Sequence, residues 1–283
     1  MLQGLVLNSI HFGDVTFRPD GVYKSPMEAS EHEIYDYVIC TNKALDPSAL
    51  PGTLAPVVTP EVTTIVLIQN GVGSEIYLTE AFSKNTVITC VTWVGAKQDS
   101  PGVIEHNNGD QITMGVAWNK NLDRIVEEKK VETFATILRN GGTGVQVDDD
   151  IIARRWEKVV WNAAWNSFTA LTMLNTQQFL NSSEEAIVIS RRLMTEIIDV
   201  AKAQGIGLEY KLVDELIDKT LKSHGLVSSM MMDLKNNRPM EVEGILGNPM
   251  RAARKFGVAT PTLDLAYVLV KAQNWRVTNP SKV

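Results

Sequence analysis

Cysteine is scarce, with two in 283 residues. Cys40 in "YVICTN" and Cys90 in "VITCVTW" form no CxxC and no Cys/His cluster at ligand spacing, so neither a disulfide framework nor a metal site is expected. Both sit in apolar runs and read as buried free thiols. No apolar run reaches the roughly 18 residues of a membrane-spanning helix. The opening "MLQGLVLNSIHFGD" also lacks the charged start and apolar core of a signal peptide. A soluble, cytoplasmic protein is expected. Basic blocks are missing too: the formal charge is −6 and the pI near 5.3. That balance argues against an electrostatic grip on nucleic acid and leaves a small molecule as the expected partner. No internal repeat or low-complexity segment is visible.

What is present is enough for two domains of ordinary size, at 44% hydrophobic and 21% charged residues. Up to about residue 118 the chain has strand grammar. Short Val-, Ile- and Thr-rich runs at 35–42, 62–70 and 86–96 are punctuated by Pro, Gly and Asp. The near-continuous apolar "TIVLI" suits a parallel strand covered on both faces. "GVIEH" and "QITMGV", flanking "NNGD", read as a hairpin. From residue 121 the pattern becomes helical, over 121–140, then a long helix containing "KVVWNAAWNSFTAL", then 182–205, 209–222, 228–237, 240–256 and 262–274. Ser182 and Glu185 fit a capping box, and Gly141 and Gly205 fit helix stops. The expected fold is therefore α/β: a sheet domain over 1–148 followed by an all-helical domain over 149–283.

One helix is unusual. In "KVVWNAAWNSFTAL" (158–171), Lys158, Asn162 and Asn166 are spaced by four, and at 100° per residue they share a stripe that also carries Trp165 and Thr169. A stripe facing water is normally built from good helix formers, whereas Asn costs about half a kcal/mol per site relative to Ala. A stripe lining a binding cleft accounts for short amides, which present a donor and an acceptor at fixed positions. Two further segments stand out. In "SSMMMDLKNNRPMEVEG" (228–244), Ser228 and Ser229 can cap a helix, and Glu241 and Glu243 can sit in the first turn of the next. Either acid could equally pair with a lysine, and spacing alone does not choose. In "IQNGVG" (68–73), a strand ends in Asn-Gly at the sheet edge where open α/β folds bind ligands, and Asn70 either reaches a ligand or serves the turn.

In these segments, together with "GVATPTLDLAYVLVKA", the sequence resembles the ketopantoate reductase (2-dehydropantoate 2-reductase) family, in the same order and at matching separations from roughly residue 35 to 274. The resemblance implies an oxidoreductase of pantothenate biosynthesis that reduces a ketopantoate-like 2-keto acid with NADPH. It makes Lys158 the general acid and Glu241 the acid that binds the substrate hydroxyl. Asn162, Asn166 and Ser229 would hold substrate, and Asn70 and Lys43, the latter in "TNKA", would face the cofactor. No metal is implied. The family layout places a strand, a GxGxxG turn and a helix ahead of these segments, and the 283 residues contain no GxGxxG. The expected first domain is therefore an N-terminally truncated Rossmann-like sheet, with an interior strand left as an edge that would favour a homodimer. Val94 stands where many members have histidine, and Asn248-Pro249 is expected to break a helix. A competing reading is a cofactor-free biosynthetic enzyme on the same scaffold, performing proton transfer, cyclisation or rearrangement after losing dinucleotide binding.

Overall fold

The computed structural model describes residues 4–282, so the first three residues of the opening stretch and Val283 lie outside it. Along the chain the elements are β1 (Leu5–Ser9), β2 (Gly13–Phe17), α1 (Pro26–Ser30), β3 (Tyr37–Cys40), α2 (Leu50–Leu54), β4 (Thr64–Leu67), α3 (Ser74–Ala81), β5 (Val87–Ser100), β6 (Val103–Val116), α4 (Arg124–Asn140) and β7 (Val145–Val147). There follow α5 (Ile151–Thr172), α6 (Thr176–Leu180), α7 (Glu184–Ala203), α8 (Lys211–Leu221), α9 (Ser229–Lys235), a π turn over Glu243–Gly247, α10 (Asn248–Phe256) and α11 (Pro261–Thr278). The chain divides into two compact units. One holds the residues up to Thr41, Ala49–Ile68 and Leu78–Ile151; the other holds Asn42–Ser48, Gln69–Tyr77 and the chain from Ile152 onward.

The first unit is an α/β sheet in the order β2-β1-β6-β5-β4-β3, with β7 also paired to β6. The β3, β4 and β5 pairs are parallel, whereas β5 and β6 form an antiparallel pair. All four residues of β4, "TIVL", are buried. Alternation sends Ile65 and Leu67 to a core with Leu50, Leu54 and Leu78, and Val66 to a second core with Val131 and Phe134 of α4. Each such fully buried side chain contributes about 1.5–3 kcal/mol. Cys40 and Cys90 are buried outside any disulfide, and burial pushes the Cys40 thiol up to about 11.

One expectation fails in this unit. "NNGD" is not a hairpin turn: β6 runs straight through it against β5, and the turn is Pro101-Gly102, with Gly102 at φ +82°. That is the arrangement Pro-Gly favours in a type II turn. Gly109 instead lies at φ +65°, close to a register shift opposite Trp93 and Gly95, so it makes a bulge inside the strand. The antiparallel β1–β2 and β5–β6 pairs stand beside parallel ones in the same sheet.

The second unit is helical around α5. This 22-residue helix buries Trp156, Val159, Val160, Ala163, Ala164 and Trp165 against α7 residues such as Leu193 and Ile197 and α11 residues such as Leu263 and Val270. The expected Ser182/Glu185 box is absent. α7 begins at Glu184 after Ser183, which makes no side-chain cap bond, and Ser182 donates to Phe179 O instead. The carboxylate of Glu196 in α7 caps α11, accepting from Thr262 N at 3.1 Å and Leu263 N at 2.8 Å. Asn248-Pro249 does not end the helix. Pro249 has no N–H for the carbonyl four residues back and its ring would crowd it, and the wider π turn over Glu243–Gly247 precedes it.

Candidate active site

Every candidate residue from the sequence lies in the second unit, including the two short segments contributed from the front half of the chain. The loop Gln69–Gly73 is the platform. Gly71 and Gly73 have φ of +87° and +89°, and a Cβ at Gly71 would stand 2.4 Å from the carbonyl carbon of Gly244. Only glycine permits that approach. Val72 N–H donates to Gly244 O at 3.0 Å, and the Asn248 amide donates to Val72 O at 2.6 Å. From the other side Arg155 donates to Gln69 O at 3.2 Å and Gly71 O at 2.5 Å.

This loop holds Asn70 between two charged groups. Lys158 Nζ donates to Asn70 Oδ1 at 2.9 Å, and Asn70 Nδ2 donates to Glu241 Oε2 at 3.1 Å. The orientation of the amide follows from chemistry, because an ammonium only donates and a carboxylate only accepts. The second oxygen of Glu241 accepts the backbone N–H of Ala44 at 3.0 Å, and Glu241 is buried. Burial, reinforced by the positive charge of Arg155 and opposed by Glu241, lowers the Lys158 ammonium from 10.5 to about 8. It therefore carries its proton at neutral pH and can release it within about one pH unit.

One and two turns further along α5 lie Asn162 and Asn166, 7% and 5% exposed. Among the described residues, neither side-chain amide finds a hydrogen-bond partner. Their amide atoms keep some contact with solvent, so they stand open to a ligand. Trp165, expected to be exposed if the stripe faced water, is fully buried beside Trp161, their rings 5.9 Å apart edge to face. Thr169 closes the stripe by pairing its hydroxyl with Ser228 Oγ at 2.6 Å, and Ser228 caps α9 through Met231 N. Ser229, the first residue of α9, is exposed.

Lys43 is engaged within the same unit: it pairs with Asp233 at 2.7 Å and donates to Pro239 O at 3.1 Å. Periodicity did not reveal Asp233, Glu75 or Arg155. Arg155 carries the one readable signal, a cation three residues before Lys158 in the same helix, beside Arg154.

Residues 2–119 match the family Ketopantoate reductase PanE/ApbA, and residues 150–274 match Ketopantoate reductase PanE/ApbA C terminal. The chain belongs to the ketopantoate reductase family. Among solved structures of that family, the 2-dehydropantoate 2-reductase from Methylococcus capsulatus is 32% identical with a TM-score of 0.84, over 97% of this chain and 85% of the other. The 2-dehydropantoate 2-reductase of a Nostoc species is 26% identical over 83% of this chain and 73% of its own length. An uncharacterized protein of Saccharomyces cerevisiae is 29% identical over 96% of this chain and 83% of its own.

Proposed function

We propose that this oxidoreductase binds a ketopantoate-like 2-oxo acid and protonates its ketone oxygen from Lys158 as the carbonyl is reduced, as a 2-dehydropantoate 2-reductase of cytoplasmic pantothenate biosynthesis. The observation that carries this reading is the pair of buried, unpartnered amides, Asn162 and Asn166, on successive turns beyond Lys158. A 2-oxo acid offers clustered carboxylate and ketone acceptors that amide N–H groups can satisfy. Ser229 adds a hydroxyl from the start of α9.

Negative charge develops on the ketone oxygen during reduction. A fixed cation there stabilises the charge, and one that is also acidic near pH 8 completes the alcohol by donating a proton. Glu241 takes one N–H bond on each oxygen and keeps lone pairs for a substrate hydroxyl. Asn70 couples the two charged groups without letting them neutralise each other directly.

NADPH is the reductant that the family resemblance implies, and when bound it would supply the electron pair. The Gln69–Gly73 loop is not itself a cradle for its phosphates. The glycines of the Gln69–Gly73 loop close onto Gly244, and Lys43 is turned to Asp233 and Pro239. In this reading Lys158, Asn162, Asn166, Ser229 and Glu241 serve substrate and proton, and Asn70 and Lys43 would face the cofactor. The division at residue 148 into nucleotide-binding and substrate-binding parts belongs to the same proposal, with segments 42–48 and 69–77 on the substrate side.

The test is a fluorescence titration of the full chain with NADPH, followed by ketopantoate in the same cuvette. Saturable binding and loss of reduced cofactor on adding ketopantoate are expected. A folded protein that binds neither compound overturns the reading.

A further inference from the structure

We propose that Arg155 is a positioning residue for this reaction: its guanidinium clamps the two backbone carbonyls that bracket Asn70 and so fixes the amide joining Lys158 to Glu241. The inference rests on the role given to Lys158 and extends it to a residue outside the substrate stripe.

Arg155 lies three residues before Lys158 in α5, and its side chain is only 1% exposed. A guanidinium removed from water is costly unless it is paired and hydrogen-bonded, and an apolar side chain of similar volume would often serve stability as well. Its partners therefore indicate its purpose. It donates to Gln69 O and to Gly71 O, and the residue between them is Asn70. The Glu75 carboxylate balances the charge at 3.7 Å, while its other oxygen accepts Gly73 N–H at 3.1 Å. One cation and one anion thus hold residues 69, 71 and 73 of a five-residue loop. The backbone that carries Asn70 cannot shift away from Lys158 without breaking these contacts. The planar fork matters, because a lysine ammonium at position 155 is a point charge unable to reproduce the geometry over two carbonyls. Arg155 also stands as a like charge near Lys158 and helps to keep its proton mobile.

The test compares Arg155→Lys, Arg155→Met and Glu75→Gln in the full chain. Three quantities are measured: turnover against pH, the titration of Lys158 by NMR of isotopically labelled lysine, and hydrogen exchange of the loop amides. The charges bearing on Lys158 are Arg155 on its own helix and Glu241 ahead of the π turn, with Glu75 acting through Arg155. Arg155→Lys should lower kcat about tenfold to a hundredfold, the penalty of a misplaced group, with faster loop exchange and little change in the Lys158 titration. Arg155→Met should lower kcat similarly and move the Lys158 titration to higher pH. Glu75→Gln should move it to lower pH.

Wild-type kcat, titration and exchange in Arg155→Lys and Glu75→Gln would overturn the proposal, and these two variants decide it even if Arg155→Met does not fold. A lower Tm with unchanged kcat and titration would mark Arg155 as structural only, and also overturns it. Lys158→Ala separates the two levels. If it turns over normally, the role of Lys158 falls; if it is inactive while the Arg155 variants behave as wild type, only the positioning role falls. Loop exchange and the Lys158 titration remain decisive if the wild-type chain shows no turnover with NADPH.

Discussion

Two Asn-Gly pairs have opposite fates in this protein. Asn108-Gly109 sits inside β6, where Gly109 at φ +65° makes a bulge, and a Cβ there would stand 2.1 Å from Trp93 O. Asn70-Gly71 follows β4, where Gly71 at φ +87° lets the backbone close onto Gly244 and leaves Asn70 between Lys158 and Glu241. Asn-Gly supplies a positive φ in both. What the pair becomes depends on the backbone that meets it: a neighbouring strand makes it a bulge, and a π turn makes it the floor of a site.

Substitutions can separate these two uses of one dipeptide. The largest effect is expected at the group that the second pair positions. Lys158→Met should lower kcat by roughly 10²–10⁴, the range for losing a general acid, and steady-state turnover of the folded variant checks it. Undiminished turnover would remove Lys158 from the chemistry. Gly71→Ala comes next. Its Cβ meets backbone that cannot yield and its φ is unfavourable, so a stability loss on the order of 3 kcal/mol or more is expected, together with low kcat in whatever fraction folds. Gly109→Ala should cost comparable stability by the same reasoning, while its folded fraction keeps wild-type kcat. Denaturant melts combined with kcat per folded molecule distinguish the two, and equal kcat losses would erase the difference between the pairs.

Smaller effects test the cost of the site. The Lys158 ammonium is lowered from 10.5 to about 8 in the folded protein. Above 10.5 both folded and unfolded states hold it neutral. As pH falls through the window from 10.5 to 8 the unfolded chain takes up the proton first, so stability is lost across that window and the loss is complete below 8. Lys158→Met should therefore stabilise the protein by about 1–3 kcal/mol at pH 7, read from Tm or chemical melts, with the gain vanishing above pH 10.5. The same lowered value places the alkaline limb of wild-type turnover near pH 8, where the proton donor is lost. The mildest expected change is Asn162→Ala, which should raise KM roughly tenfold with little change in kcat, the signature of lost uniform binding. An unchanged KM would mean that the orphan amide is not a substrate contact.

The stripe on α5 was legible because it is local. Lys158, Asn162 and Asn166 share a face through helix periodicity alone, and the two grammars of the chain followed from strand and helix patterns. The α7 capping box failed because Ser182 and Ser183 both fit an N-terminus and only packing selects the first helical residue. The "NNGD" hairpin failed because turn chemistry and bulge chemistry draw on the same residues. Arg155 left only a faint trace, because Arg154 beside it looks the same in sequence and its backbone-carbonyl partners leave no mark there.

By itself the sequence determined the helix that carries the lysine, the face on which the amides lie and the glycines that permit positive φ, since each depends on neighbours within a turn. Only the tertiary structure decided that Asn70 meets Lys158 across 88 residues and Glu241 across 171. Those contacts sit where two glycine backbones approach closely and a buried guanidinium holds the loop carbonyls, and such long-range complementarity has no periodicity to betray it.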